Sequence, residues 1–487
     1  MMLKQTKIVA TVSDQRCDEA FITSLFNAGM NVVRMNSAHL DRSGFDEIIR
    51  NVRAVSNRIG ILMDTKGPEI RTTASDAPIP LKTGDKVIIR GAPLEKTVPG
   101  VISVNYTHFA GELKTGDVIL IDDGDLELKV IEKQSGSLRV EVLNDAVLGS
   151  RKSVNIPGVR INLPSLTGKD RQNILYAIEN RIDFIAHSFV RNKQDVLDIQ
   201  QILDEHHSPI KIIAKIENQE GVDNIDEILD AAYGIMIARG DLGIEVPQEK
   251  IPGLQRVLIR KCVAAKKPVI VATQMLHSMI SNPRPTRAEV TDVANAIYYR
   301  TDALMLSGET AYGKFPVEAV RTMSTIAREA EKTKLQENDI RVPTPDDDLD
   351  VTSFLSKQAV KSSNKLQVKA IVTDSYSGRT ARNLAAFRGK APVFAICYKE
   401  QTTRELSLSY GVWAEYQAEN NDSKQYFLDA LNKLLQKQMI SRDDMVAYLS
   451  GSFGEGGGTS FLELNKVSRI LDESAGFHAP FFKQDKD

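Results

Sequence analysis

The segment Ile210–Gly221 reads IKIIAKIENQEG, a mostly apolar or small run that contains Lys215 and Glu217 two residues apart. Successive side chains of a strand face opposite sides of a sheet, so residues two apart share one face. If the run is a strand, an ammonium and a carboxylate therefore point the same way from a segment suited to burial. Such charges are costly in a packed interior unless they are paired, whereas at a rim they are available for chemistry.

Seven more short, β-branched runs resemble this one, and amphipathic stretches typical of helices separate them. All eight are largely apolar through their bodies, as expected of parallel strands that are covered on both faces. In chain order the strand candidates are KIVATV (from Lys7), NVVRMN (from Asn31), GILMDTKG (from Gly60), DFIAHSFV (from Asp183), KIIAKIEN (from Lys211), YGIMIARGDL (from Tyr233), PVIVATQM (from Pro268) and ALMLSGET (from Ala303). Eight β-then-α units fit a closed (β/α)8 TIM barrel, an α/β fold, better than an open sheet.

The pattern changes once, across residues 73–159, where alternation replaces any helical period. Apolar residues alternate from Leu126 to Val130 and again from Leu138 to Val142, and Gly136 lies between the two runs. These features predict hairpins of a small β-barrel domain inserted after the third barrel strand. Because the C-terminal ends of barrel strands carry active sites, we interpret the insertion as a lid; a passive decoration is the alternative.

A polar stretch ending in RVPTPDDDLD separates the barrel from a C-terminal segment with further helices and strands. Three apolar runs there, AIVTD from Ala370, PVFAICY from Pro392 and MVAYLSGS from Met445, predict a smaller α/β domain. The predicted domains are residues 1–72 and 160–340 for the barrel, residues 73–159 for the lid and residues 341–487 for the C-terminal domain.

The bulk composition restricts the classes of partner. The 487 residues carry a net charge of -2, which gives no reason to expect nucleic acid or an anionic membrane as a partner. Three cysteines lie far apart and in no metal-binding spacing, as in a reducing compartment. The N-terminal MMLKQTKIVATVS is too short and polar for a signal peptide, and no apolar run approaches the roughly 20 residues that span a bilayer. These features predict a soluble cytoplasmic protein.

Polar residues follow nearly every strand candidate at its C-terminal end, and packing alone does not explain them. They are Arg34 and Asn36 (second strand), Asp64, Lys66, Glu69 and Arg71 (third), Ser188 and Arg191 (fourth), Lys215 and Glu217 (fifth), Arg239 and Asp241 (sixth), Thr273 and Gln274 (seventh), and Ser307 and Glu309 (eighth). Single members have structural alternatives: a buried salt bridge for Lys215 with Glu217, and a helix cap for Asp241. Arg34 could hold a loop, and Thr273 could be an ordinary strand residue. Their coincidence at one rim favours a site.

The residue types at this rim indicate phosphoryl chemistry. Glu217 and Asp241, on neighbouring strands, form an oxygen-rich pair suited to Mg2+ or Mn2+. Lys215 and Arg34 would supply positive charge, and phosphoryl transfer depends mostly on positioning and on neutralising the phosphoryl oxygens. The seven histidines are scattered without zinc spacing, and no GxxxxGK[ST] motif occurs. The glycine-rich GSFGEGGGTS from Gly451 is weak evidence by itself.

The segments that contain these residues resemble the pyruvate kinase family, and the resemblance extends over nearly the whole length of the chain. The segments similar to conserved blocks of that family are IKIIAKIENQEG, ARGDLG, MDTKGPEIRT, NPRPTRAEVTDVANA and MLSGETAYGKFPVEAV, in the family's order. The resemblance implies a (β/α)8 barrel with a β-rich lid and a C-terminal α/β domain. It also implies the last step of glycolysis, in which phosphate passes from phosphoenolpyruvate to ADP and yields pyruvate and ATP.

The resemblance implies roles for the rim residues. By that likeness Glu217 and Asp241 bind the divalent metal, and Lys215 stabilises the transferred phosphoryl group. Arg34 would hold phosphate, and Thr273 would help to deliver the proton that turns enolpyruvate into pyruvate.

The same likeness implies contacts to substrate and nucleotide. Backbone amides around Ala238, Arg239 and Gly240 would receive the substrate carboxylate, with Ser188 also at the substrate. Nucleotide contacts are implied for Arg71 and for Lys152 in LGSRKSVNIPG.

A potassium site is implied at Asn36, Asp64 and the Thr65 carbonyl, and Glu69 resembles a residue of potassium-dependent members. Ala38 stands where many members have a ligand serine, and a water could take that place. We expect activity to respond to K+; equal rates in potassium-free sodium buffer would refute this expectation.

Other features are specific to this chain. TVSDQRCD replaces a Gly-Pro turn after the first strand, and His277 stands where Glu is usual. TDSYSGRTAR resembles an effector-phosphate loop with one extra residue, and a plain strand–helix turn is the alternative. The effector candidates are Thr373, Ser375, Ser377, Gly378, Arg379 and Thr380. The helix start PTRAEVTDVANAI resembles a subunit interface, which implies a homotetramer.

Two other functions fit part of these observations. One is a barrel enzyme that uses phosphoenolpyruvate or an enolate with another acceptor, and release of pyruvate without ATP would support it. The other is a non-enzymatic sensor with a degraded barrel. The presence of Lys215, Glu217, Asp241 and Thr273 counts against a sensor, and metal-dependent turnover would distinguish the two.

Overall fold

The strands form one closed barrel and several further sheets. The computed structural model describes residues 3–38, 40–333, 350–419, 423–451 and 458–473. The strands in chain order are β1 (Lys7–Thr11), β2 (Val32–Asn36), β3 (Gly60–Asp64), β4 (Ile79–Leu81), β5 (Lys86–Gly91), β6 (Val101–Val104), β7 (Val118–Ile121), β8 (Leu126–Gln134), β9 (Ser137–Val142), β10 (Ala146–Leu148), β11 (Val154–Asn155), β12 (Phe184–His187), β13 (Lys211–Ile216), β14 (Gly234–Ala238), β15 (Val269–Ala272), β16 (Ala303–Leu306), β17 (Ala370–Ser375), β18 (Val393–Cys397), β19 (Val412–Tyr416), β20 (Met445–Gly451) and β21 (Thr459–Lys466).

Helices alternate with these strands. The α-helices in chain order are α1 (Glu19–Ala28), α2 (Arg42–Val55), α3 (Phe109–Glu112), α4 (Gly168–Glu179), α5 (Lys193–Glu205), α6 (Gln219–Asp223), α7 (Ile225–Ala231), α8 (Arg239–Glu245), α9 (Ile251–Ala264), α10 (Arg287–Tyr298), α11 (Gly308–Ala311), α12 (Pro316–Thr333), α13 (Val351–Leu366), α14 (Arg379–Ala386), α15 (Glu400–Glu405), α16 (Ser423–Gln436) and α17 (Val467–Glu473). Short 3-10 helices span Gln248–Lys250, His277–Ile280 and Leu406–Leu408. Polar caps begin several helices; Thr167 and Asp170, for example, form a reciprocal capping box at α4. Across the described residues, none of the helices combines the length and the apolar character that crossing a bilayer requires.

The barrel closes in the order β1-β16-β15-β14-β13-β12-β3-β2, with all pairs parallel. The eight predicted strands are thus confirmed, and so is the (β/α)8 fold. One set of side chains, including Val9, Leu62 and Phe184, fills the barrel interior, while the other set packs under the helices. Because all eight strands run the same way, their C-terminal ends meet at one rim.

The insertion between β3 and β12 is all-β apart from the short α3, as predicted. It has a six-stranded sheet in the order β11-β7-β8-β9-β5-β6 and a separate pair, β10-β4, around its own apolar core. The predicted hairpin is β8–β9, where Gln134 pairs with Ser137. Gly136 turns that hairpin with φ of 77°, a left-handed conformation that glycine adopts without strain. The boundaries at residues 72/73 and 159/160 remain predictions.

The C-terminal segment forms a five-stranded sheet in the order β19-β18-β17-β20-β21, antiparallel only at β20–β21. The three predicted runs are β17, β18 and β20. The predicted boundary at 340/341 and most of the linker RVPTPDDDLD lie outside the described residues, as do residues 452–457 of the glycine-rich run.

Buried ion pairs join this C-terminal domain to the N-terminal end of the barrel. The Asp183 carboxylate accepts hydrogen bonds from Arg404 Nε at 2.7 Å, Arg53 Nη2 at 2.8 Å and the Ile61 amide at 2.8 Å. Asp302 lies 2.8 Å from Arg388 Nη2. These pairs lie at the end of the barrel opposite the polar rim.

Candidate active site

Lys215 lies at the C-terminal end of β13, surrounded by oxygen atoms. Its Nζ is 2.9 Å from Glu217 Oε1, 3.3 Å from Asp64 Oδ2 and 2.9 Å from Ser188 Oγ. Burial alone would lower the pKa of Lys215, but Glu217 and Asp64 raise it above its ordinary value. The buried salt bridge considered from the sequence is therefore present, and it leaves a protonated amine at the rim.

Arg34 joins the same group through Asp64. Arg34 Nε and Nη2 donate to the two oxygens of Asp64 at 3.0 and 2.6 Å, a bidentate pair. Burial would raise the pKa of Asp64, but Arg34 and Lys215 hold it below its ordinary value. Asp64 thus connects the two cations.

Glu217 and Asp241 have capacity left for a ligand. Glu217 is 1% exposed, and burial raises its pKa to about 7 although Lys215 opposes that rise. Its Oε2 accepts the Phe189 amide at 2.7 Å, whereas Oε1 has the Lys215 ammonium nearby but no well-aligned hydrogen bond among the described residues. Asp241 lies in the first turn of α8 and forms no hydrogen bond or ion pair within the described chain; α8 has no side-chain cap, so Asp241 does not cap it. Two oxygen-bearing groups are therefore open to a cation.

Thr273 follows β15 in a strained conformation. Its φ is 66°, in the left-handed region that β-branched residues rarely adopt, and Gln274 follows at 54°. The Thr273 hydroxyl accepts the Gly240 amide at 2.7 Å and donates to the Ala272 carbonyl at 2.7 Å. The left-handed backbone of Thr273 thus places its hydroxyl against the backbone of α8, beside Gly240, the residue before Asp241.

The Arg239 side chain points away from this group. Its Nη1 contacts Asp292 on α10 at 2.7 Å, and its Nη2 donates to the Thr273 carbonyl at 2.7 Å. The Arg239 side chain is therefore already paired, and binding of the substrate carboxylate by the backbone of Ala238, Arg239 and Gly240 stays a prediction.

The nucleotide candidates lie at the base of the lid, apart from the Lys215 group. Arg71 pairs with Glu69 at 2.7 Å and donates to the Arg151 carbonyl at 2.8 Å. Lys152 pairs with Asp122 at 2.7 Å. A cavity of about 500 Å3 lies between the lid and the rim, and its lining includes Glu69 and Asp241. The cavity connects the lid with Asp241, one of the two candidates for binding the divalent metal.

The oxygen atoms predicted to bind potassium already have partners within the protein. Asn36 Oδ1 accepts the Ala38 amide at 3.1 Å, and the Thr65 carbonyl accepts the Ser188 hydroxyl at 2.7 Å. Asp64 is shared between Arg34 and Lys215. The exposed His277, at the start of a 3-10 helix, forms no hydrogen bond or ion pair with these groups in the part of the chain that the structure describes.

Comparison with known proteins agrees with this geometry. Family models described as "Pyruvate kinase, barrel domain" and "Pyruvate kinase, alpha/beta domain" match residues 3–320 and 354–464. Curated relatives named pyruvate kinase from Borreliella burgdorferi and Geobacillus stearothermophilus are 46% and 43% identical, over 97% and 98% of this chain and 99% and 82% of their own lengths. A crystal structure of a pyruvate kinase from Cryptosporidium parvum is similar with a TM-score of 0.90 at 35% identity, covering 95% of this chain and 96% of its own.

The chain belongs to the pyruvate kinase family.

Membership of the pyruvate kinase family makes the chain an enzyme, a kinase that transfers a phosphoryl group in glycolysis. Pyruvate kinase identity implies phosphoenolpyruvate, ADP, ATP and pyruvate as substrates and products, and dependence on a divalent cation and K+. Within the described ranges no three His, Cys, Asp or Glu side chains gather into a metal cage.

The effector candidates of this pyruvate kinase lie at the end of β17 and the start of α14, in a different domain from the rim. Gly378, with φ of 78°, turns the chain into α14, and its amide donates to Ser375 Oγ at 3.0 Å. Arg379 is exposed and pairs with Asp350 at 3.2 Å, whereas Thr373 is fully buried in the sheet. The Arg379 side chain is therefore accessible to an anion and the Thr373 side chain is not.

Sequence reasoning missed one residue of the rim, His187, and the pairing of another, Asp64, with cations. It considered Asp64 only for potassium, although its position at the end of β3 was a signal that it could also pair with cations. It did not single out His187, which is buried with its Nδ1 3.3 Å from Thr65 Oγ1. A histidine inside an apolar strand run was the available signal.

Proposed function

We propose that phosphoryl transfer from phosphoenolpyruvate to ADP takes place where β13, β14 and β15 end, with Lys215 stabilising the transferred group. One observation supports this most: Lys215 is held at the rim by Glu217 and Asp64, next to Asp241, whose side chain has no hydrogen-bond or ion-pair partner among the described residues. The paired acids keep the amine protonated, as a group that neutralises phosphoryl oxygens must be.

Glu217 and Asp241 would hold the divalent cation, Mg2+ or Mn2+. The residues fit, because Glu217 Oε1 lacks a well-aligned hydrogen bond and Asp241 is unpaired in the described chain. When bound, the ion would supply positive charge that stabilises the negative charge of the substrate. Arg34 would add a cation for the phosphate, fixed in place by Asp64.

Thr273 would act at the carbon that is protonated. Its hydroxyl is oriented by the Gly240 amide, so its position is set by the backbone that is proposed to receive the substrate carboxylate. Ala238, Arg239 and Gly240 would bind that carboxylate, and Ser188 would support Lys215 at the substrate. The carbon and the carboxylate would thus be oriented by neighbouring groups.

The remaining assignments concern nucleotide, potassium and assembly. Arg71 and Lys152 would contact the nucleotide phosphates after leaving their acidic partners at the lid base. Asn36, Asp64 and the Thr65 carbonyl would hold K+. We also propose that an anionic effector binds near Arg379, that the protein forms a homotetramer and that it is located in the cytoplasm.

Formation of pyruvate and ATP from phosphoenolpyruvate, ADP and Mg2+ tests the proposal in wild type and Lys215→Met. We expect near-complete loss of phosphoryl transfer in the variant with its circular dichroism unchanged. Lys211→Met is the matched control, because Lys211 begins the same strand at the opposite end of the barrel, 3.7 Å from Glu405. Wild-type activity in Lys215→Met would overturn the role of Lys215.

A further inference from the structure

His187 begins a continuous chain of hydrogen bonds that ends on Lys215. It is the last residue of β12 and is 1% exposed, with Nδ1 3.3 Å from Thr65 Oγ1. Thr65 Oγ1 accepts the Ser188 amide at 2.9 Å, and the Thr65 carbonyl accepts the Ser188 hydroxyl at 2.7 Å. The Ser188 oxygen in turn accepts from Lys215 Nζ at 2.9 Å. Residues at the ends of three adjacent strands are linked in this way.

The Ser188 amide must donate, so Thr65 Oγ1 is an acceptor on that side. Within the described residues His187 Nδ1 is the only further partner of Thr65 Oγ1. We assign the single proton of the hydroxyl to this contact, which makes Nδ1 the acceptor and puts the proton of the ring on Nε2.

Stability alone does not account for a histidine at this position. His187 Nε2 is buried and has no hydrogen-bond partner in the part of the chain that the structure describes. A buried donor without a partner is unfavourable, and an apolar residue of similar volume would avoid that cost. The ring is better explained by what its Nδ1 does.

We propose that His187 is a positioning residue for Lys215, acting through Thr65 and Ser188; this rests on the proposed role of Lys215. His187 fixes the Thr65 hydroxyl, and with it the orientation of the Thr65 peptide. The Thr65 carbonyl then holds the Ser188 proton, so that a lone pair of Ser188 faces the Lys215 ammonium. Without His187 the Ser188 hydroxyl can rotate, and Lys215 is drawn towards Glu217 and Asp64.

Two substitutions of His187 separate positioning from packing. His187→Leu removes the acceptor, while His187→Asn keeps an oxygen near the place of Nδ1. We expect kcat of His187→Leu to fall by about tenfold, equivalent to about 1.4 kcal/mol of transition-state stabilisation, with KM for phosphoenolpyruvate nearly unchanged. His187→Asn should restore most of kcat. His206→Leu is the matched control, because among the described residues the His206 ring bonds only the Ile202 carbonyl on α5, so this variant should retain kcat.

A double-mutant cycle tests the path through Thr65. If His187 acts through the Thr65 hydroxyl, His187→Leu should have almost no further effect on kcat in a Thr65→Val background. The same tenfold loss in both backgrounds would overturn the proposal, as would unchanged kcat in His187→Leu. If His187→Leu does not fold, His187→Ala takes its place in the cycle, with the same two outcomes.

Hydrogen exchange supplies a readout that does not depend on activity. The Ser188 amide should exchange faster in His187→Leu than in wild type, while amides of β17 stay unchanged. Unchanged exchange at Ser188 would overturn the proposed link. Full activity of Lys215→Met would instead refute the role of Lys215, and the exchange result would still report on the His187–Thr65 contact.

Discussion

Both ends of the barrel contain acidic side chains beside cationic ones, but the two ends differ in whether every carboxylate oxygen has a hydrogen-bond partner. At the N-terminal end, both oxygens of Asp183 are hydrogen bonded, to Arg404, Arg53 and the Ile61 amide. At the C-terminal rim, Glu217 keeps an oxygen without a well-aligned hydrogen bond, and Asp241 has no partner in the described chain.

This difference distinguishes acids that stabilise the fold from acids that can bind a ligand. A buried acid with all its hydrogen bonds made stabilises the contact between domains, because removing any partner would leave a charge unpaired. A buried acid with unused capacity is unfavourable in the protein alone and becomes favourable when a ligand completes it. Amide substitutions at the two ends should therefore have opposite consequences for activity and stability.

The largest expected effect is on catalysis at the rim. Glu217→Gln should lower kcat by on the order of 1000-fold, since it would remove the charge of a proposed metal ligand from the transition state. Stability should change little, because Lys215 keeps Asp64 at 3.3 Å as a partner. Steady-state kinetics and urea unfolding measure the two quantities. A kcat within tenfold of wild type would contradict the division between the two ends.

At the opposite end the same chemical change should affect stability. Asp183→Asn should lower the free energy of unfolding by about 3–5 kcal/mol, because it leaves the buried guanidinium of Arg404 and the half-buried guanidinium of Arg53 facing an amide. The kcat of the folded enzyme should stay close to wild type. Asp226→Asn, which breaks only an exposed pair with Lys261, is the control and should cost less than about 1 kcal/mol. A large loss of kcat in Asp183→Asn with unchanged stability would reverse the comparison.

The smallest effect concerns pH at the N-terminal end. Burial lowers the pKa of Lys4 to about 7, with Lys7 contributing and Glu331 opposing. Between pH 7 and the unfolded value of 10.5 the unfolded chain binds the proton that folded Lys4 has released, so stability rises with pH there. One proton accounts for at most about 1.4 kcal/mol per pH unit. Urea unfolding at several pH values should show a shallower rise in Lys4→Met, and an unchanged slope would contradict the lowered pKa.

Much of the fold was predictable because its signals are local. The eight apolar runs that became the barrel strands are recognisable from burial on both faces, and the β8–β9 hairpin from strict alternation around Gly136. Lys215 and Glu217 stood out because charges interrupt an apolar run. Strand direction then placed them at the rim.

Contacts between strands were not predictable in the same way. The pair of Arg34 with Asp64 joins residues 30 positions apart, and the contact of Thr65 with His187 spans 122 positions. The left-handed backbone of Thr273 had no local signal either, since a β-branched residue disfavours it. Each depends on the register and tilt of neighbouring strands.

The sequence by itself determined the order of strands and helices, the inserted β-domain and the set of polar residues at strand ends, because hydrophobic periodicity and turn chemistry act over a few residues. Only the tertiary structure decided which of those polar residues meet. It paired Asp64 with both cations, gave Lys215 its support from Ser188, turned the Arg239 side chain towards α10 and left Asp241 unpaired among the described residues. The physical reason is that closing the barrel brings distant strand ends within hydrogen-bonding distance, and electrostatic energy depends on those distances rather than on separation along the chain.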